Sequence, residues 1–576
     1  MTSPRKRIQR RVPPQAPEWG LSLPPLLRRL YQARGVTDER ELDYRLGALT
    51  PPDRLRGLDR AAQLLAQTIA DNGAILIVGD FDADGATSTA LAMLGLSMLG
   101  ARKLDFRVPS RFSDGYGLTP GIVQRLQAEN ALPDLLLTVD NGIAAHEGVQ
   151  AAKEAGLTVV VTDHHLPGDT LPDADAIVNP NQPGCEFVSK NAAGVGVMFY
   201  LLTALRRHQR NGGLYRDSPP PNLGQLLDLV ALGTVADVVP LDHNNRIFVD
   251  QGLKRIRAGR SRPGIRALLE VAGREADRLT ATDLGFVLGP RLNAAGRLDD
   301  MSIGIHCLLT GDEDRALALA RELDGLNRQR RTIEGDMREQ ANAHLQALQL
   351  GEALPRGLCL FDGGWHQGVI GILASRIKEQ LHRPVIAFAP GDEGEIKGSA
   401  RSIPGVHIRD LLVSLDARHP GLLLRYGGHA MAAGMTVRES DYSTFSSAFA
   451  RVVEELADPE AFDASIHTDG PLEGQELTIE TARLLADAGP WGQQFPAPVF
   501  DGEFVLVSQR IVGERHLKLL VQVPGQDRML DAIAFSVDTD QWPAQCERVR
   551  LVYQLEVNRF RGRESVQLKV DYLEPA

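Results

Sequence analysis

The stretch "AILIVGDFDADG", residues 74–85, decides the fold. Its apolar first half is typical of a buried β-strand, and a segment with helical character, 84–98, follows its polar second half. The same succession returns along the chain, with predicted strands at 104–109, 135–140, 158–163 and 176–180 and predicted helices at 119–129 and 144–155. Strands that alternate with helices indicate a parallel sheet covered on both faces. The expected fold class is therefore α/β.

Acidic residues and histidines follow three of these predicted strands. The first strand leads into "GDFDADG", the third into "TVDNG" and the fourth into "TDHH", while a later helical segment reads "ALGTVADVVPL". The residues concerned are Asp80, Asp82, Asp84, Asp140, Asp163, His164, His165 and Asp237. Because ligands of parallel sheets gather beyond the carboxyl ends of the strands, we expect these side chains to converge.

A cluster of this kind predicts a metal site. Carboxylates that lie so close together repel one another strongly unless a cation offsets their charge. Carboxylate and imidazole ligands without thiolates suit Mn²⁺ or Mg²⁺ better than structural zinc. Asp82 and Asp84 are two residues apart, so on an extended segment they would face the same side and could each serve a different ion. Asp140, alone at its strand end, is predicted to bridge two metal ions. Such a pair of ions promotes in-line displacement at a phosphorus atom.

Taken one at a time, these motifs have simpler explanations. Aspartates are common in loops and turns, the aspartate of "TVDNG" can mark a turn, and Asp237 can cap its helix. The two adjacent histidines are ambiguous as well. Because neighbouring side chains on an extended chain point to opposite faces, we expect His164 and His165 to have different roles. The joint occurrence of the motifs at strand ends favours the metal site.

The rest of the sequence divides into further regions. Residues 1–50 are predicted to be a helical lead-in to the catalytic domain at 51–260. The region 261–350 is predicted to be helical, and its charged second half indicates a long amphipathic helix that joins two domains, with a coiled-coil dimer as the alternative. A second, smaller α/β domain is expected at 351–460. The region 461–576 contains a Pro/Gly-rich joint and five short alternating runs, which fit an OB-like β-barrel.

Composition restricts the class of protein. The sequence has 576 residues and a formal net charge of −11, and it contains no apolar run long enough for a transmembrane helix. The basic N-terminus lacks the apolar region of a secretory signal, and the four cysteines form no CxxC pair. We therefore expect a cytoplasmic monomer without a disulfide framework and without contact to a membrane. The acidic total does not exclude an enzyme that acts on nucleic acid, because basic grooves can be local.

Together the motifs resemble a known family. "VGDFDADG", "TVDNG", "TDHH" and "GTVADVVPL" look like the four motifs of the DHH phosphoesterase superfamily. In the second α/β region, "RYGGHAMAAG" (425–434) looks like the signature of the DHHA1 domain, and "GWHQGVIGILASRIKEQLHRPVIAF" and "KGSARSIPG" add to the similarity. The resemblance covers about residues 50–576. One departure is Ala400, where a glycine is expected in the phosphate-binding turn.

With its C-terminal barrel the chain is similar to the exonucleases of this superfamily. The resemblance implies 5′→3′ hydrolysis of single-stranded DNA to mononucleotides with two Mn²⁺ or Mg²⁺ ions. The ligands it implies are Asp82, Asp84, Asp140, His164 and Asp237. Asp80 would be a further ligand or hold the site, Asp163 would orient its neighbours, and His165 would face the scissile phosphate. The family's role in recombination and mismatch repair implies a single-strand-binding protein and a helicase as partners.

Other residues are candidates for binding the DNA. Glycine amides and side-chain donors in "GSARS" and "YGGHA" suit a phosphate, and these candidates are Ser399, Arg401, Gly427, Gly428 and His429. Arg111 and Tyr116 follow the second strand and could contact a phosphate and stack on a base, or belong to an ordinary surface loop. By resemblance Arg297 would bind the 5′ end, with a helix cap as the alternative. On the predicted barrel, Arg559 and Arg561 flank the aromatic ring of Phe560, and Lys518 is a further candidate cation.

Two other functions are compatible with the same motifs. The first is an oligoribonuclease or cyclic-dinucleotide phosphodiesterase of the same superfamily, and the second is a non-catalytic replication scaffold. The oligoribonucleases and cyclic-dinucleotide phosphodiesterases generally lack the C-terminal barrel. The scaffold relatives have lost metal ligands, whereas all the expected acidic and histidine ligands are present in this sequence. The sequence therefore favours the exonuclease.

Overall fold

A computed structural model describes residues 6–13, 23–111, 114–349, 355–392, 394–513, 516–535, 537, 542, 546–560 and 562–576. The chain divides into two units, each assembled from separate segments. One unit consists of residues 13–327 and 480–498, and the other of residues 1–12, 328–479 and 499–576. Among the described residues, no helix combines the length and the apolar character needed to cross a membrane.

The first unit is built on a five-stranded parallel sheet. Its strands are β1 (Ala74–Gly79), β2 (Lys103–Arg107), β3 (Leu135–Val139), β4 (Thr158–Thr162) and β5 (Ala176–Val178). They lie in the order β2-β1-β3-β4-β5, and every neighbouring pair is parallel. Every residue of β3 is buried, as expected for a central strand that is covered on both faces. The predicted parallel sheet is therefore confirmed.

Helices surround this sheet. They are α1 (Pro25–Gln32), α2 (Leu58–Ala70), α3 (Ala83–Met98), α4 (Pro120–Ala128), α5 (His146–Glu154), α6 (Gly194–Asn211), α7 (Leu227–Ala236), α8 (His243–Arg257), α9 (Pro263–Val271), α10 (Gly289–Leu298) and α11 (Ser302–Leu309). A helical turn, Ala281–Asp283, and a π-helical segment, Leu284–Leu288, lead into α10. The helices α3, α4 and α5 lie where the sequence predicts helices.

The long helix predicted in the charged region is present. It is α12 (Glu313–Gln349), and the border between the two units falls within it, after Asn327. Its apolar positions Leu323, Met337 and Leu345 are buried, as expected for an amphipathic helix.

The second unit contains another five-stranded sheet. Its strands are β6 (Leu358–Phe361), β7 (Val385–Pro390), β8 (Glu395–Arg401), β9 (Arg425–Gly428) and β10 (Ala432–Arg438), in the order β9-β10-β8-β7-β6. The strands β6 and β7 are parallel, and the other pairs are antiparallel. The helices α13 (Ile370–Leu381), α14 (Ile408–Arg418) and α15 (Tyr442–Leu456) belong to this α/β region, and buried residues of α14, α15 and the sheet share one core.

A closed barrel ends the chain. Its strands are β11 (Phe500–Val512), β12 (His516–Gln522), β13 (Met529–Ala534), β14 (Arg548–Phe560) and β15 (Arg563–Pro575), and they close in the order β11-β12-β13-β15-β14. The strands β13 and β15 are parallel, and the other neighbours are antiparallel. The five predicted strands and their OB-like closure are confirmed.

The predicted lead-in at 1–50 contains α1 and short helical turns, but its first described residues are not helical. Arg7–Arg10 is a strand, and it pairs in parallel with Ser465–Thr468 in the second unit. Arg10 also contacts the barrel, because its Nη2 atom lies 2.7 Å from Oδ2 of Asp501. The run RKRIQRR at 5–11 contains a single apolar residue and therefore has no helical periodicity. The partner of this strand is more than 450 residues away in the sequence.

Candidate active site

Carboxylates lie at the carboxyl ends of three neighbouring strands. Asp80 follows β1, Asp140 follows β3 and Asp163 follows β4, and all three side chains are buried. The predicted extended geometry of Asp82 and Asp84 is wrong, because the chain turns into α3 immediately after the strand. Asp82 is the N-cap of α3 and accepts a hydrogen bond from the backbone N–H of Gly85, whereas Asp84 lies in the first turn.

The N-terminus of α6 holds Asp84. The backbone N–H of Gly194 donates to Oδ2 of Asp84 at 2.7 Å, and that of Val195 donates to Oδ1 at 3.0 Å. A helix N-terminus favours a carboxylate, because its first N–H groups have no partner within the helix. Gly194 also permits a close approach, since a Cβ atom at this position would lie 2.5 Å from Oδ1 of Asp140. Gly194 is not among the predicted site residues, although a glycine at the start of an apolar helix is visible in the sequence.

His164 lies between two further carboxylates. Its Nε2 atom is 3.1 Å from Oδ1 of Asp140 and 3.4 Å from Oδ2 of Asp237, the C-cap residue of α7. Asp140 adopts a left-handed backbone conformation with φ of 62°, so the chain turns sharply at the end of β3. The buried oxygens Oδ1 of Asp140 and Oδ2 of Asp237 accept no hydrogen bond within the described part of the chain.

Within the part of the chain that the structure describes, three groups of side chains have the proximity that a metal ion needs. They are Asp80 with Asp82 and Asp140, Asp140 with His164 and His165, and Asp84 with His164 and Asp237. In each group, one potential ligand atom per residue lies within 4.8 Å of the others. Asp140 belongs to two groups, and Asp82 and Asp84 belong to different ones. The orphaned carboxylate oxygens and the oxygen-rich donor set fit Mn²⁺ or Mg²⁺.

The carboxyl groups are strongly perturbed. Burial, followed by repulsion from Asp82, raises the pKa of Asp80 to about 8 and the pKa of Asp84 to about 7. Burial and the negative charge of Asp84 hold the pKa values of Asp140 and Asp237 well above their usual range. These groups therefore resist ionisation together in the absence of a cation, and a bound divalent ion would remove that resistance.

His165 contacts Asp163. Its Nδ1 atom lies 2.7 Å from Oδ1 of Asp163, and the backbone N–H groups of His164 and His165 donate to the same oxygen. Burial acts against the charge on each residue, but this pairing outweighs burial. It raises the pKa of His165 to about 9 and lowers the pKa of Asp163. The expectation of opposite faces is wrong, because the two imidazole centroids lie 4.4 Å apart; only their contacts differ.

Arg111 and Tyr116 lie beside this pair. The guanidinium carbon of Arg111 is 4.0 Å from the centroid of the Phe81 ring, and its Nε donates to the carbonyl of Gly296 at 3.2 Å. The Tyr116 hydroxyl is 3.4 Å from Nε2 of His165, and its ring meets Phe81 edge to face. Burial lowers the pKa of Arg111 and raises that of Tyr116. Phe81 was missed, although it stands inside the quoted "GDFDADG".

Residues of α10 have mixed contacts. Arg297 is half-buried in the last turn of this helix. The side chain of Asn293 accepts a hydrogen bond from the backbone N–H of Ala83, which ties α10 to the start of α3. Arg291 instead pairs with Asp324 at 2.9 Å.

The glycine-rich candidates lie in the other unit. Strand register places Ser399 of β8 opposite Gly434 of β10, and Gly434 opposite Gly427 of β9. Arg401 donates to the Ser399 hydroxyl at 3.0 Å, and burial lowers its pKa. Gly428 is required by close packing, since a Cβ atom there would lie 2.4 Å from the carbonyl oxygen of Ala432.

The neighbouring candidates complete this region. The backbone N–H of His429, an exposed residue just after β9, donates to the carbonyl of Ala432. Ala400, the departure from the expected glycine, packs with its methyl group in the core of the sheet.

The barrel candidates are engaged with acidic neighbours. Nζ of Lys518 lies 3.3 Å from Oδ1 of Asp531, and Nε of Arg559 lies 2.6 Å from Oε1 of Glu564. The Phe560 side chain is 65% exposed, and Arg561 lies outside the described residues. These ion pairs lie on the surface and are individually weak.

The sheet and its carboxylate-lined edge define the DHH class of phosphoesterases. Residues 74–234 match the DHH family, N-terminal domain, residues 354–455 match the DHHA1 domain, and residues 468–572 match the RecJ OB domain. The predicted resemblance is thereby confirmed. The chain belongs to the family of the single-stranded-DNA-specific exonuclease RecJ.

The similarity extends over the full chain. It is 53% identical to the single-stranded-DNA-specific exonuclease RecJ of Salmonella typhimurium and 52% identical to that of Escherichia coli, in each case over 99% of both chains. The crystal structure of RecJ from Thermus thermophilus in complex with Mn²⁺ matches with a TM-score of 0.79 at 32% identity. That match covers 99% of this chain and 80% of the Thermus chain.

Proposed function

We propose that the chain is a metal-dependent 5′→3′ exonuclease specific for single-stranded DNA. It releases 5′-mononucleotides and acts in DNA recombination and repair. The observation that carries this proposal is the convergence of buried carboxylates and an imidazole at one sheet edge. The full-length similarity to exonucleases named for this activity supports it, as do the solved Thermus structures with Mn²⁺ and Mg²⁺.

Five residues would hold two Mn²⁺ or Mg²⁺ ions: Asp82, Asp84, Asp140, His164 and Asp237. The position of Asp140 in two potential ligand groups supports its role as the bridge. When bound, such a metal pair lowers the pKa of a water molecule and offsets the charge that develops on the phosphate. Asp80 is close enough to Asp82 and Asp140 to be a further ligand or to hold them in place.

His165 would act on the scissile phosphate. Its contact with Asp163 favours the protonated imidazole, which can donate to a phosphate oxygen or to the leaving group. Asp163 binds Nδ1, which leaves Nε2 as the outward donor. The side chain of His165 is 36% exposed, so a substrate can reach it.

Arg111, Tyr116 and Arg297 would bind the nucleotides near the cut. The stacking of Arg111 on Phe81 and the contact of Tyr116 with His165 support the first two assignments. Ser399, Arg401, Gly427, Gly428 and His429 would bind a DNA phosphate, since the sheet register gathers several of these groups.

The barrel would bind single-stranded DNA through Lys518, Arg559, Phe560 and Arg561. Cations beside an exposed aromatic ring are the groups that single strands prefer. We further propose a cytoplasmic monomer that works with a single-strand-binding protein and a helicase. The domain limits 1–50, 51–260, 261–350, 351–460 and 461–576 belong to the same proposal.

One experiment tests polarity and metal dependence together. Strands labelled at the 5′ or the 3′ end are digested while Mn²⁺ and Mg²⁺ are titrated, and a dinucleotide is digested in parallel. A 5′→3′ exonuclease releases the 5′ label first as a mononucleotide and requires the metal. Release of the 3′ label first, or a preference for the dinucleotide, would contradict the proposal and favour an oligoribonuclease.

The Asp140→Ala variant tests the assignment of the metal ligands. Because Asp140 would bridge the two ions, we expect its removal to lower kcat by several orders of magnitude, about 10³-fold or more, while DNA binding stays largely intact. Asp169→Ala, at an exposed aspartate of the same unit, is the control and should retain full activity. A nearly active Asp140→Ala enzyme would overturn the metal assignment.

A further inference from the structure

The His164–His165 dipeptide lies beyond the end of its strand. Thr162, the last residue of β4, pairs with Val178 of β5, and the chain then leaves the sheet. The two histidine N–H groups therefore need partners outside the sheet, and both donate to Oδ1 of Asp163, at 2.7 and 3.0 Å. Asp163 thus fixes one side of the dipeptide backbone.

Two asparagines fix the other side. The amide of Asn179 donates to the carbonyl of His165 at 2.9 Å, and the amide of Asn181 donates to the carbonyl of His164 at 2.6 Å. Both come from the segment that directly follows β5, "NPN" at 179–181. All four backbone polar groups of the dipeptide are therefore bound by side chains.

The asparagines are themselves held firmly. Asn179 is fully buried, and its Oδ1 accepts a hydrogen bond from the backbone N–H of Asn181 at 2.7 Å. The amide of Asn181 also donates to the carbonyl of Lys190 at 3.2 Å, and Nζ of Lys190 returns to the carbonyl of Pro180 at 2.6 Å. Pro180 restricts the backbone between the two donors. These bonds preset the direction of both amides before any ligand binds.

We propose that Asn179 and Asn181 are positioning residues that fix the directions of the two imidazoles. Asn181 acts on His164, and therefore on metal affinity. Asn179 acts on His165, and therefore on turnover. This division rests on the proposed function, which assigns His164 to the ions and His165 to the phosphate.

The test uses the full chain and two variants, Asn181→Ala and Asn179→Ala. Binding of Mn²⁺ alone is measured by electron paramagnetic resonance, and kcat and KM are measured on a 5′-phosphorylated single strand at saturating Mn²⁺. Substitution of a residue that holds a metal ligand in place typically changes metal affinity or activity by about 10–100-fold. We expect Asn181→Ala to raise the Mn²⁺ Kd by about 10-fold and to recover kcat within a few-fold when Mn²⁺ saturates the site.

Asn179→Ala should show the opposite pattern. We expect kcat to fall by about 10–100-fold at saturating Mn²⁺, while the Mn²⁺ Kd and KM stay within about 2-fold. If Asn179→Ala does not fold, Asn179→Asp replaces it, because this variant keeps the shape and removes the donor. Asn222→Ala is the control; Asn222 is exposed and caps a short helical turn, Leu223–Leu226, so Kd and kcat should not change.

Two results overturn the inference. One is wild-type Kd and kcat in both variants, and the other is a parallel loss of Tm, Kd and kcat in both, which indicates a structural role only. Failure of the proposed function is distinguishable, because a wild-type chain that binds Mn²⁺ but leaves single strands intact refutes the exonuclease alone. The Mn²⁺ Kd of Asn181→Ala then still decides the role of Asn181.

Discussion

His164 and His165 have different contacts, so substitution of each should reduce activity in a different way. Nε2 of His164 lies near Asp140 and Asp237, whereas Nδ1 of His165 binds Asp163. We expect His164→Ala to weaken Mn²⁺ binding, so that excess Mn²⁺ restores part of the activity. His165→Ala should keep the ions and lose about 10²–10⁴-fold in kcat, which added metal does not restore.

Activity measured across a Mn²⁺ titration checks this prediction. The exposed His208 lies on α6 away from the motifs, and His208→Ala is the control. Equal rescue of the His164 and His165 variants by Mn²⁺ would contradict the division of roles.

The raised carboxyl pKa values predict how stability changes with pH in the metal-free protein. Asp80 and Asp84 have folded pKa values of about 8 and about 7, compared with about 3.9 in an unfolded chain. Their contribution to stability is therefore complete below about pH 4 and is lost as the pH rises through the folded values. With a chelator, we expect the free energy of unfolding, and with it Tm, to fall between about pH 4 and pH 8. The free energy should fall by on the order of 1 kcal/mol per pH unit for each of the two groups until its folded pKa is passed.

Calorimetry with and without Mn²⁺ checks the sign. Bound Mn²⁺ should reduce the decline, because it offsets the repulsion, and Asp80→Asn should flatten the decline in chelator. The same pH slope with and without Mn²⁺ would show that these carboxyls are not coupled to the metal.

At the residue scale, the sequence predicts where a residue lies in the fold better than where its side chain points. Asp140 and Asp163 could be placed because polar residues at the ends of buried strands meet at one sheet edge. The side-chain directions of Asp82 and Asp84 could not be predicted, because the sequence does not distinguish an aspartate in an extended segment from one at a helix N-terminus. Asn179 and Asn181 gave no signal beyond polar residues around a proline, since their partners are backbone carbonyls.

Helix α12 contains glycines whose cost can be tested at the element scale. A Cβ atom at Gly325 would meet no other atom within 4 Å. Because glycine in a helix costs roughly 0.5–1 kcal/mol relative to alanine, we expect Gly325→Ala to stabilise the protein by about that amount. The free energy of unfolding in urea is the measurement.

Substitution of Gly233 in α7 should have the opposite effect on stability. A Cβ atom there would lie 2.2 Å from Oγ1 of Thr87 and 2.8 Å from Oδ1 of Asp84. Gly233→Ala should therefore destabilise the protein by about 1–3 kcal/mol and disturb Asp84. Destabilisation by Gly325→Ala would show that the helix needs flexibility at that position.

The elements were predictable where one periodicity dominates. The strands of the first sheet are short apolar runs, and α12 has apolar positions at helical spacing. Arg7–Arg10 was not predictable, because its strand exists only through pairing with Ser465–Thr468 and a contact with Asp501.

At the scale of the whole molecule, the barrel should matter for long strands only. If Lys518 and Arg559 contact phosphates, Lys518→Ala and Arg559→Ala should each raise KM for a long strand several-fold and lower the salt slope by about 1. Hydrolysis of a dinucleotide should not change. The ion-pair partners give a control of opposite sign, since Asp531→Ala and Glu564→Ala should strengthen binding. Unchanged KM and salt dependence in all four variants would remove these cations from the DNA path.

The order of two α/β regions, a connecting helix and a barrel could be predicted, because each has its own periodicity. The assembly of the units could not. Residues 480–498 belong with 13–327, and this follows from contacts such as the stacking of Trp491 on Tyr31 and the hydrogen bond from the backbone N–H of Leu241 to the carbonyl of Gln493. No local pattern encodes pairings between residues so far apart.

This interleaving has a consequence for synthesis on the ribosome. The unit that contains the aspartates of the candidate site lacks a segment until residue 498 has emerged, and the other unit combines residues 1–12 with residues 328–479 and 499–576. A nascent chain therefore carries Tyr31 and Leu241 without their late partners until Trp491 and Gln493 have been added. A product that ends before residue 498 lacks part of both units. We therefore expect translation interrupted before that residue to leave a target for proteases rather than a shortened nuclease.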